Sequence, residues 1–317
     1  MIEPSKKTGI AEAHSKLILM GEHAVVYRKP AIAIPFPILN ASSIIEKTNS
    51  KIIYINSHLY NGPADAAPTF LQGIVKSIDA VLTYLQKPKM GFTIHIKSEI
   101  PIGRGLGSSA AIALAVIKAV FQYFQVRADK SLLLKFVEIA EKHAHGNPSG
   151  IDMEAAYEKE PIWFIKGEKT DTIKIKCPFF LVVADTGRFG ETYAAVSSIR
   201  EKYESNRRET ELAINKIADA TFEAKMALQS GRLPALGQAM NEAQRQLTNL
   251  GVSDNHLDNL IALARQKGAL GAKLTGGGRG GCMIALTDSL STAEGLAQQL
   301  LAGGASQAWA YQVQSTD

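Results

Sequence analysis

The chain has 317 residues, of which 46% are hydrophobic and 21% charged, with 35 Lys and Arg against 30 Asp and Glu. These values are ordinary for a folded globular protein and exclude disordered, collagen-like and low-complexity classes. The length is about twice that of a typical domain, so we expect two domains or one large one. The net charge of +5 comes without a block of consecutive basic residues. It therefore gives little support to nucleic-acid binding, and it suits a positive cleft for an acidic small molecule equally well.

Cysteine content and hydropathy indicate the compartment. Cys177 and Cys282 are the two cysteines, too few for a disulfide framework or a four-cysteine zinc site, which suits a reducing environment. Residues 1–7 lack the apolar core of a secretory signal. The apolar stretches 30–39 and 110–117 fall short of the roughly 18 to 20 residues that span a bilayer. We expect a cytoplasmic protein without membrane attachment.

The first half of the chain alternates predicted strands and helices. Apolar or β-branched runs predict strands at 16–20, 31–35, 42–46 and 51–57, and helical spacing of apolar residues predicts a helix at 70–84. Alternation over 92–100 predicts a half-buried strand, and a glycine-rich loop then leads into a buried helix that reaches residue 126. Ser131 is expected to cap the next helix, which the Gly-Asn-Pro triplet at 146–148 ends.

The second half predicts a recognisable order of elements. A continuous apolar run predicts a buried strand at 179–185, and helical patterns cover 191–230, 233–250 and 257–267. A strand at 272–275, a glycine-rich turn, a strand at 282–287, a helix at 292–301 and a strand at 307–313 complete the chain. This order is that of a split βαβ, ferredoxin-like domain with extra helices. We therefore predict an α+β protein with two domains, residues 1–178 and 179–317.

The loop GRGLGSSA at residues 103–110 is the first segment that suggests chemistry. A strand that leads through small residues into a helix presents backbone N–H groups at the positive helix end, as a phosphate chain requires. The loop lacks the Lys of a Walker A motif and the glycine spacing of a dinucleotide fingerprint. From this segment alone, a tight turn without a ligand remains an alternative.

A second glycine-rich segment, KLTGGGRGGC, occupies residues 273–282 between two apolar strands. Five glycines in the six positions 276–281 exceed what a hairpin turn requires. Close approach of the backbone to a ligand explains them better than a flexible hairpin, which stays the alternative.

Three charged residues are further candidates. Glu141 falls at the edge of the buried stripe of its predicted helix, where a carboxylate is costly unless it has a partner such as a metal ion. Asp152 follows a Pro-Ser-Gly turn that would fix its carboxylate, although this turn could merely begin the next helix. Lys16 begins a predicted strand, where a lone lysine is more often a solvated surface residue.

Taken together, these segments resemble one family. Three ordered segments resemble the motifs of the GHMP small-molecule kinases, the group named for galactokinase, homoserine kinase, mevalonate kinase and phosphomevalonate kinase: residues 16–27, 101–110 and 273–282. Within that group, GEHAVVY at 21–27 and HGNPSGID at 145–152 are most similar to the mevalonate kinases, as is the segment 185–192. These short matches in the right order make a chance resemblance improbable.

The resemblance implies a fold and an activity. The fold is an N-terminal, ribosomal-protein-S5-like βαβ domain that binds ATP and a C-terminal ferredoxin-like domain with extra helices. The activity is ATP- and Mg²⁺-dependent phosphorylation of the 5-hydroxyl of (R)-mevalonate in isoprenoid biosynthesis. The implied partner is this small molecule, without nucleic acid or a membrane, and a homodimer stays open.

The resemblance also implies roles for individual residues. Asp152 would accept or guide the proton of the substrate hydroxyl, and Lys16 beside it would lower the hydroxyl pKa and offset charge on the transferring phosphoryl group. Ser109 and Glu141 would bind Mg²⁺. The ATP phosphates would be wrapped by Gly103, Gly105, Leu106, Gly107, Ser108, Ser109 and Ala110. The substrate would be bound by Glu22, His23, Thr192, Gly276, Gly277 and Gly278.

One position departs from the family pattern, and rival functions remain. The family usually has Pro-Gly before the first-motif lysine, where this chain has His14-Ser15, so we expect a different local turn. The nearest rival is another GHMP kinase, and a nucleotide-binding sensor that has lost catalysis is a second. An RNA-binding module is a third, for which the chain lacks a basic stripe or aromatic motif.

Overall fold

The computed structural model describes residues 8–88, 90–146 and 148–316. Their contacts divide them into a first unit, residues 8–15, 37–101 and 107–157, and a second unit, residues 16–36, 102–106 and 158–316. The N-terminal segment 1–7 and Asn147 of the predicted helix stop lie outside the described residues. The predicted domain boundary at residue 178 stays a prediction. Within the described ranges, no helix has the length and apolar character needed to cross a bilayer.

The first half of the chain carries five strands and four helices over the described residues: β1 (Thr8–Met20), β2 (Ala31–Lys47), β3 (Tyr54–Ser57), β4 (Asn61–Pro63), α1 (Thr69–Tyr84), β5 (Phe92–Ser98), α2 (Ser108–Tyr123), α3 (Lys130–His145) and α4 (Ile151–Tyr157). The second half carries β6 (Ile162–Phe164), β7 (Asp171–Thr172), β8 (Phe179–Asp185), α5 (Thr192–Ser205), α6 (Arg207–Ser230), α7 (Leu233–Leu250), α8 (Asn255–Gln266), β9 (Gly271–Thr275), β10 (Cys282–Thr287), α9 (Leu290–Ala302) and β11 (Gln307–Val313).

In the first unit, a sheet with the order β4-β3-β5-β2 carries the helices α1 to α4. The strand β3 runs parallel to β5, and the other pairs are antiparallel. The helix α2 contacts α1, α3, α4 and β5, which explains why its sequence is apolar around most of its circumference. The buried faces of α2 and α3 therefore hold the start of α2 against the end of α3.

The cap of α3 differs from the prediction. Asp129, rather than Ser131, is the N-cap, because its carboxylate accepts a hydrogen bond of 2.8 Å from the backbone N–H of Leu132. An N-cap residue lies just outside the helix, where its side-chain oxygen reaches a free N–H of the first turn. Ser131 lies inside that turn, where it cannot play this role.

The strand β2 joins two predicted strands into one of 17 residues, although Pro35 and Pro37 lie within it. It pairs with β6 through residues 31–33 and with β5 through residues 41–47, so both prolines lie between these two paired stretches. A proline there removes no donor from either of these ladders. The two predicted strands, 31–35 and 42–46, left the residues between them unassigned.

In the second unit, β11-β8-β10-β9 form an antiparallel sheet that packs against α7, α8 and α9, which confirms the predicted ferredoxin-like order. Inward-facing apolar side chains of this sheet and its helices make one buried cluster. Cys282 lies opposite Asp185 on one neighbouring strand and Thr275 on the other. The second glycine-rich segment, between β9 and β10, therefore lies at the sheet edge where β8 ends.

Candidate active site

Lys16 lies within β1 and is buried, with 1% of its surface exposed. Its ammonium group donates a 2.9 Å hydrogen bond to the carbonyl of Gly105, and its backbone N–H donates to the carbonyl of Leu106 at 3.2 Å. The alternative of a solvated surface lysine is therefore wrong. The strand also runs through His14 and Ser15, neither of which has a positive φ. The expected difference from the family's local backbone stays a prediction.

The two glycine-rich segments meet backbone to backbone within the second unit. A Cβ atom on Gly276 would lie 2.6 Å from the Cα of Gly105, and one on Gly105 would lie 2.8 Å from the carbonyl oxygen of Thr275. A Cβ atom on Gly277 would lie 2.2 Å from the hydroxyl oxygen of Thr192. Other parts of the chain approach these glycines too closely for a side chain to fit, which explains them better than hairpin flexibility does. The approaching atoms include the protein's own backbone.

His23 joins the same cluster from the loop after β1. Its Nε2 lies 2.9 Å from the carbonyl oxygen of Gly277, and because a carbonyl can only accept, Nε2 carries the proton and Nδ1 is left as an acceptor. Burial lowers the pKa of His23 to about 4, with smaller contributions from the charges of Lys273 and Arg279. Its backbone is left-handed, with φ of 60°, a strained conformation that is common at functional sites.

Glu22 forms a buried ion pair that the sequence did not suggest. The ammonium group of Lys273 on β9 donates to Oε1 of Glu22 and, at 2.6 Å, to the carbonyl of Leu274. Both charged side chains are fully buried. Burial raises the pKa of Glu22, while the charge and hydrogen bond of Lys273 oppose that rise. The signal that could have found Lys273 is its place in an otherwise apolar strand, at the start of the second glycine-rich segment.

The start of α2, in the first unit, carries the second half of the first glycine-rich loop. Gly107, with φ of 74°, precedes the helix, and its carbonyl accepts the first intrahelical bond from Ala111 at 3.0 Å. The N–H groups of residues 108–110 therefore stand at the helix start, where backbone donors lack intrahelical partners. The Ser108 hydroxyl donates to the carbonyl of Ile100 at 3.4 Å, and the Leu106 and Ala110 side chains are buried. The predicted phosphate contacts of Leu106, Ser108 and Ala110 stay a prediction.

Ser109 and Glu141 lie together as predicted. The Ser109 hydroxyl donates a 2.6 Å hydrogen bond to Oε1 of Glu141, whose side chain is 2% exposed. A hydroxyl and a buried carboxylate are hard oxygen donors that fit Mg²⁺, which keeps several waters and phosphate oxygens as its other ligands. In the described part of the chain, no group of three or more His, Cys, Asp or Glu could hold a metal ion. A metal ion bound here would thus be held by Ser109, Glu141, waters and the phosphate oxygens of a bound ligand.

Asp152 lies in the first turn of α4, in the first unit. The alternative that its turn begins a helix is therefore correct as local structure. The residue is partly exposed. Its chemical role stays a prediction.

Two arginines secure the glycine-rich segments, and sequence reasoning missed both. The guanidinium of Arg104 lies 3.3 Å from Asp185 and donates to the carbonyl of Gly187 at 2.8 Å. Arg279 donates from Nε to the carbonyl of Gly251 at 3.1 Å and from Nη2 to the Ser198 hydroxyl at 2.8 Å. A long cation inside each glycine-rich segment was the signal that could have found them.

Comparison with known proteins agrees with this geometry. The family described as GHMP kinases N terminal domain matches residues 71–159, and the one described as GHMP kinases C terminal matches residues 224–306. The chain belongs to the GHMP kinases. Membership confirms the predicted two-domain fold and the enzyme class, a kinase.

Relatives of this GHMP kinase are mevalonate kinases. It is 34% identical to the mevalonate kinase of Pyrococcus furiosus, over 87% of this chain and 88% of the relative. The solved structure of L. major mevalonate kinase in complex with R-mevalonate matches with a TM-score of 0.85 and 26% identity, over 100% of this chain and 99% of that one. A Streptococcus pneumoniae phosphomevalonate kinase, at 17% identity and a TM-score of 0.81 over 96% of this chain and 99% of that one, shares the fold alone.

Proposed function

We propose that this GHMP kinase phosphorylates the 5-hydroxyl of (R)-mevalonate with ATP and Mg²⁺, which gives 5-phosphomevalonate for isoprenoid synthesis in the cytoplasm. The observation that most supports the proposal is the cluster of Lys16, His23 and Thr192 on the two glycine-rich segments. The whole-length similarity to mevalonate kinases supports the choice of substrate.

The proposed substrate residues supply fixed polar groups in a cationic setting. His23 is neutral and anchored on Gly277, so its Nδ1 is an acceptor in a fixed position. The Thr192 hydroxyl lies against the same glycine. Lys16, Lys273 and Glu22 are all buried, and their two ammonium groups and one carboxylate sum to one positive charge. This net charge suits a substrate that carries a carboxylate. We expect Glu22, His23, Thr192 and the backbone of residues 276–278 to bind mevalonate.

Phosphoryl transfer asks a protein mainly for positioning and for stabilisation of charge. The backbone N–H groups of the loop 103–110 would hold the ATP phosphates, and Ser109 and Glu141 would hold Mg²⁺. When bound, the ion offsets charge on the phosphate oxygens. Asp152 would accept or guide the proton of the 5-hydroxyl. Lys16 would stabilise the negative charge that develops on the transferring group.

A substrate panel tests the proposal. Purified protein is assayed for ADP release with ATP, Mg²⁺ and each of mevalonate, phosphomevalonate, homoserine and galactose. We expect the highest kcat/KM with mevalonate. Turnover of another alcohol in its place would identify a different GHMP kinase. Tight ATP binding without turnover of any of the four alcohols would favour the nucleotide-binding sensor.

A further inference from the structure

In the buried ion pair of Glu22 and Lys273, one carboxylate oxygen of Glu22 lacks a hydrogen-bond partner among the described residues. Oε1 of Glu22 accepts from Lys273, whereas Oε2 is buried and has no hydrogen-bond partner among the residues that the structure describes. Glu22 is 1% exposed and Lys273 is 0% exposed. A buried carboxylate oxygen without a donor is costly, and buried polar atoms in folded proteins are nearly always paired. This oxygen therefore calls for a donor that arrives with a ligand.

The surrounding charges keep that oxygen an acceptor. Burial raises the pKa of Glu22, but the ammonium group of Lys273, which donates directly to Oε1, forms an ion pair that favours the ionised carboxylate, and the charge of Lys16 acts in the same direction. An ionised carboxylate can only accept hydrogen bonds. Its ligand partner must accordingly be an O–H or N–H group. The carboxylate of a substrate would instead be repelled.

With mevalonate as the proposed substrate, one group remains that can donate a hydrogen bond to Oε2 of Glu22. At neutral pH its hydrogen-bond donors are two hydroxyls, on C3 and C5. The C5 hydroxyl loses its proton in the reaction and is assigned to Asp152. The tertiary hydroxyl on C3 is the donor that remains.

We propose that Lys273 is a positioning residue for substrate binding, which holds Glu22 through Oε1 so that Oε2 accepts a hydrogen bond from the C3 hydroxyl of mevalonate. The pair joins β9 to the loop after β1, residues that lie 251 positions apart in the chain. Lys273 fixes Glu22 without touching the reacting atoms. This inference rests on the proposed function and adds the substrate group that Glu22 recognises.

The test compares mevalonate with 5-hydroxy-3-methylpentanoate, which lacks the C3 hydroxyl but keeps the reacting one. We expect the wild-type protein to prefer mevalonate by about 100-fold or more in kcat/KM, because an analogue that leaves a buried polar group unpaired is rejected strongly. Equal use of the two substrates by the wild type would overturn the hydroxyl contact, whatever the variants do. No turnover of either substrate would instead contradict the proposed function.

Variants test the part played by Lys273. Lys273→Met leaves Glu22 without its cation, and we expect a lower Tm together with a mevalonate preference reduced at least about tenfold. Glu22→Gln/Lys273→Met removes both charges, so Tm should recover relative to Lys273→Met while the preference stays reduced. The KM for ATP should change by less than about twofold in both. Lys267→Met, at an exposed lysine of the same unit, should match the wild type in every measurement.

Two outcomes would overturn the role of Lys273. A double variant with wild-type preference would show that an acceptor at position 22 recognises the hydroxyl without being held by Lys273. An equal loss of kcat/KM for both substrates in Lys273→Met would mean that Lys273 acts on a group common to the two, such as the carboxylate. Both outcomes leave the proposed kinase activity standing.

Discussion

At the scale of single residues, Asp152 is the most direct test of the proposed chemistry. It lies in the first turn of α4, where asparagine preserves the shape of the side chain and removes its charge. We expect Asp152→Asn to lower kcat by about 100- to 10,000-fold, because a positioned proton acceptor contributes that much to proton transfer. Tm should change by no more than a few degrees.

The control for Asp152 lies two residues along the same helix. Glu154 forms an ion pair of 2.7 Å with Lys130 and has no part in the proposed reaction. Glu154→Gln should therefore retain kcat within about threefold. A large loss in Glu154→Gln, or near-normal turnover in Asp152→Asn, would remove Asp152 from the mechanism.

His23 makes a prediction about stability and pH. Its pKa in the folded protein is about 4, below its ordinary value of 6.5, so between these values the unfolded chain binds the proton more readily. The free energy of unfolding should therefore fall as the pH drops from 7 to 4, with about 3 kcal/mol of that fall due to His23. Denaturant unfolding of the wild type and of His23→Gln at several pH values measures this share.

The variant at His23 should show a flatter pH dependence than the wild type. His58→Gln, at an exposed histidine, serves as the control and should follow the wild-type curve. Parallel curves for the wild type and His23→Gln would mean that His23 does not stay neutral in the folded protein.

Sequence reasoning reached site residues by two routes, an unusual position and the family resemblance. Glu141 stands out on the apolar stripe of its helix, whereas Lys16 was given a role through the resemblance alone, and both are buried. Lys273 and Arg279 were missed although each is a cation in an unusual place, because their importance comes from partners distant in the chain: Glu22 for one, Gly251 and Ser198 for the other. Such pairings follow from the tertiary fold, which a local pattern does not encode.

At the scale of elements, the second glycine-rich segment fixes the start of α5. A Cβ atom on Gly277 would overlap the Thr192 hydroxyl, and α5 buries just two of its described residues, Ala195 and Ile199. Gly277→Ala should therefore displace the start of α5 rather than be absorbed. We expect a loss of about 1 to 3 kcal/mol in unfolding free energy and a raised KM for mevalonate.

A glycine elsewhere in the second unit gives the matched control. Gly295 lies within α9, where an added Cβ atom meets nothing within 4 Å. Gly295→Ala should raise stability by about 0.5 to 1 kcal/mol, since alanine favours a helix interior, and should leave the kinetics unchanged. Thermal melts and steady-state kinetics of the two alanine variants decide the matter. Unchanged KM in a folded Gly277→Ala would separate this glycine from the substrate site.

The N-terminus of α3 tests the corrected cap. Asp129→Ala removes the acceptor for the Leu132 N–H and should cost about 1 kcal/mol of unfolding free energy. Ser131→Ala, inside the first turn, should change it by less than about 0.5 kcal/mol. Urea unfolding of both variants measures the difference, and a larger loss in Ser131→Ala would restore the serine as the cap.

The first and last residues of a strand or helix could be predicted where the local sequence pattern determines them. Strand β10 and strand β11 have the bounds that the alternation predicted, because each is bordered by turns. The N-cap of α3 could not be predicted, since Asp129 and Ser131 are both good capping residues and only the backbone path decides between them. The length of β2 was underestimated because the residues between its two predicted strands were left unassigned.

At the scale of the whole molecule, the order of motifs was sufficient to predict the family, and the order of elements to predict the ferredoxin-like sheet. The passage of the chain between its two units was beyond sequence reasoning. Residues 16–36 and 102–106 belong with the second unit although they precede residue 178. That assignment brings Lys16 onto Gly105 of the first glycine-rich loop and Glu22 onto Lys273 of β9, through contacts that no linear pattern contains.

If this GHMP kinase transfers a phosphoryl group to one hydroxyl of one substrate, the position of the phosphate in the product reveals it. The wild-type protein is incubated with ATP, Mg²⁺ and (R)-mevalonate, and the product is analysed by ³¹P and ¹H NMR. We predict a single phosphomonoester whose phosphorus couples to the C5 methylene protons, formed in step with ADP. A product phosphorylated on C3, or ADP released without any phosphorylated mevalonate, would contradict the proposed reaction.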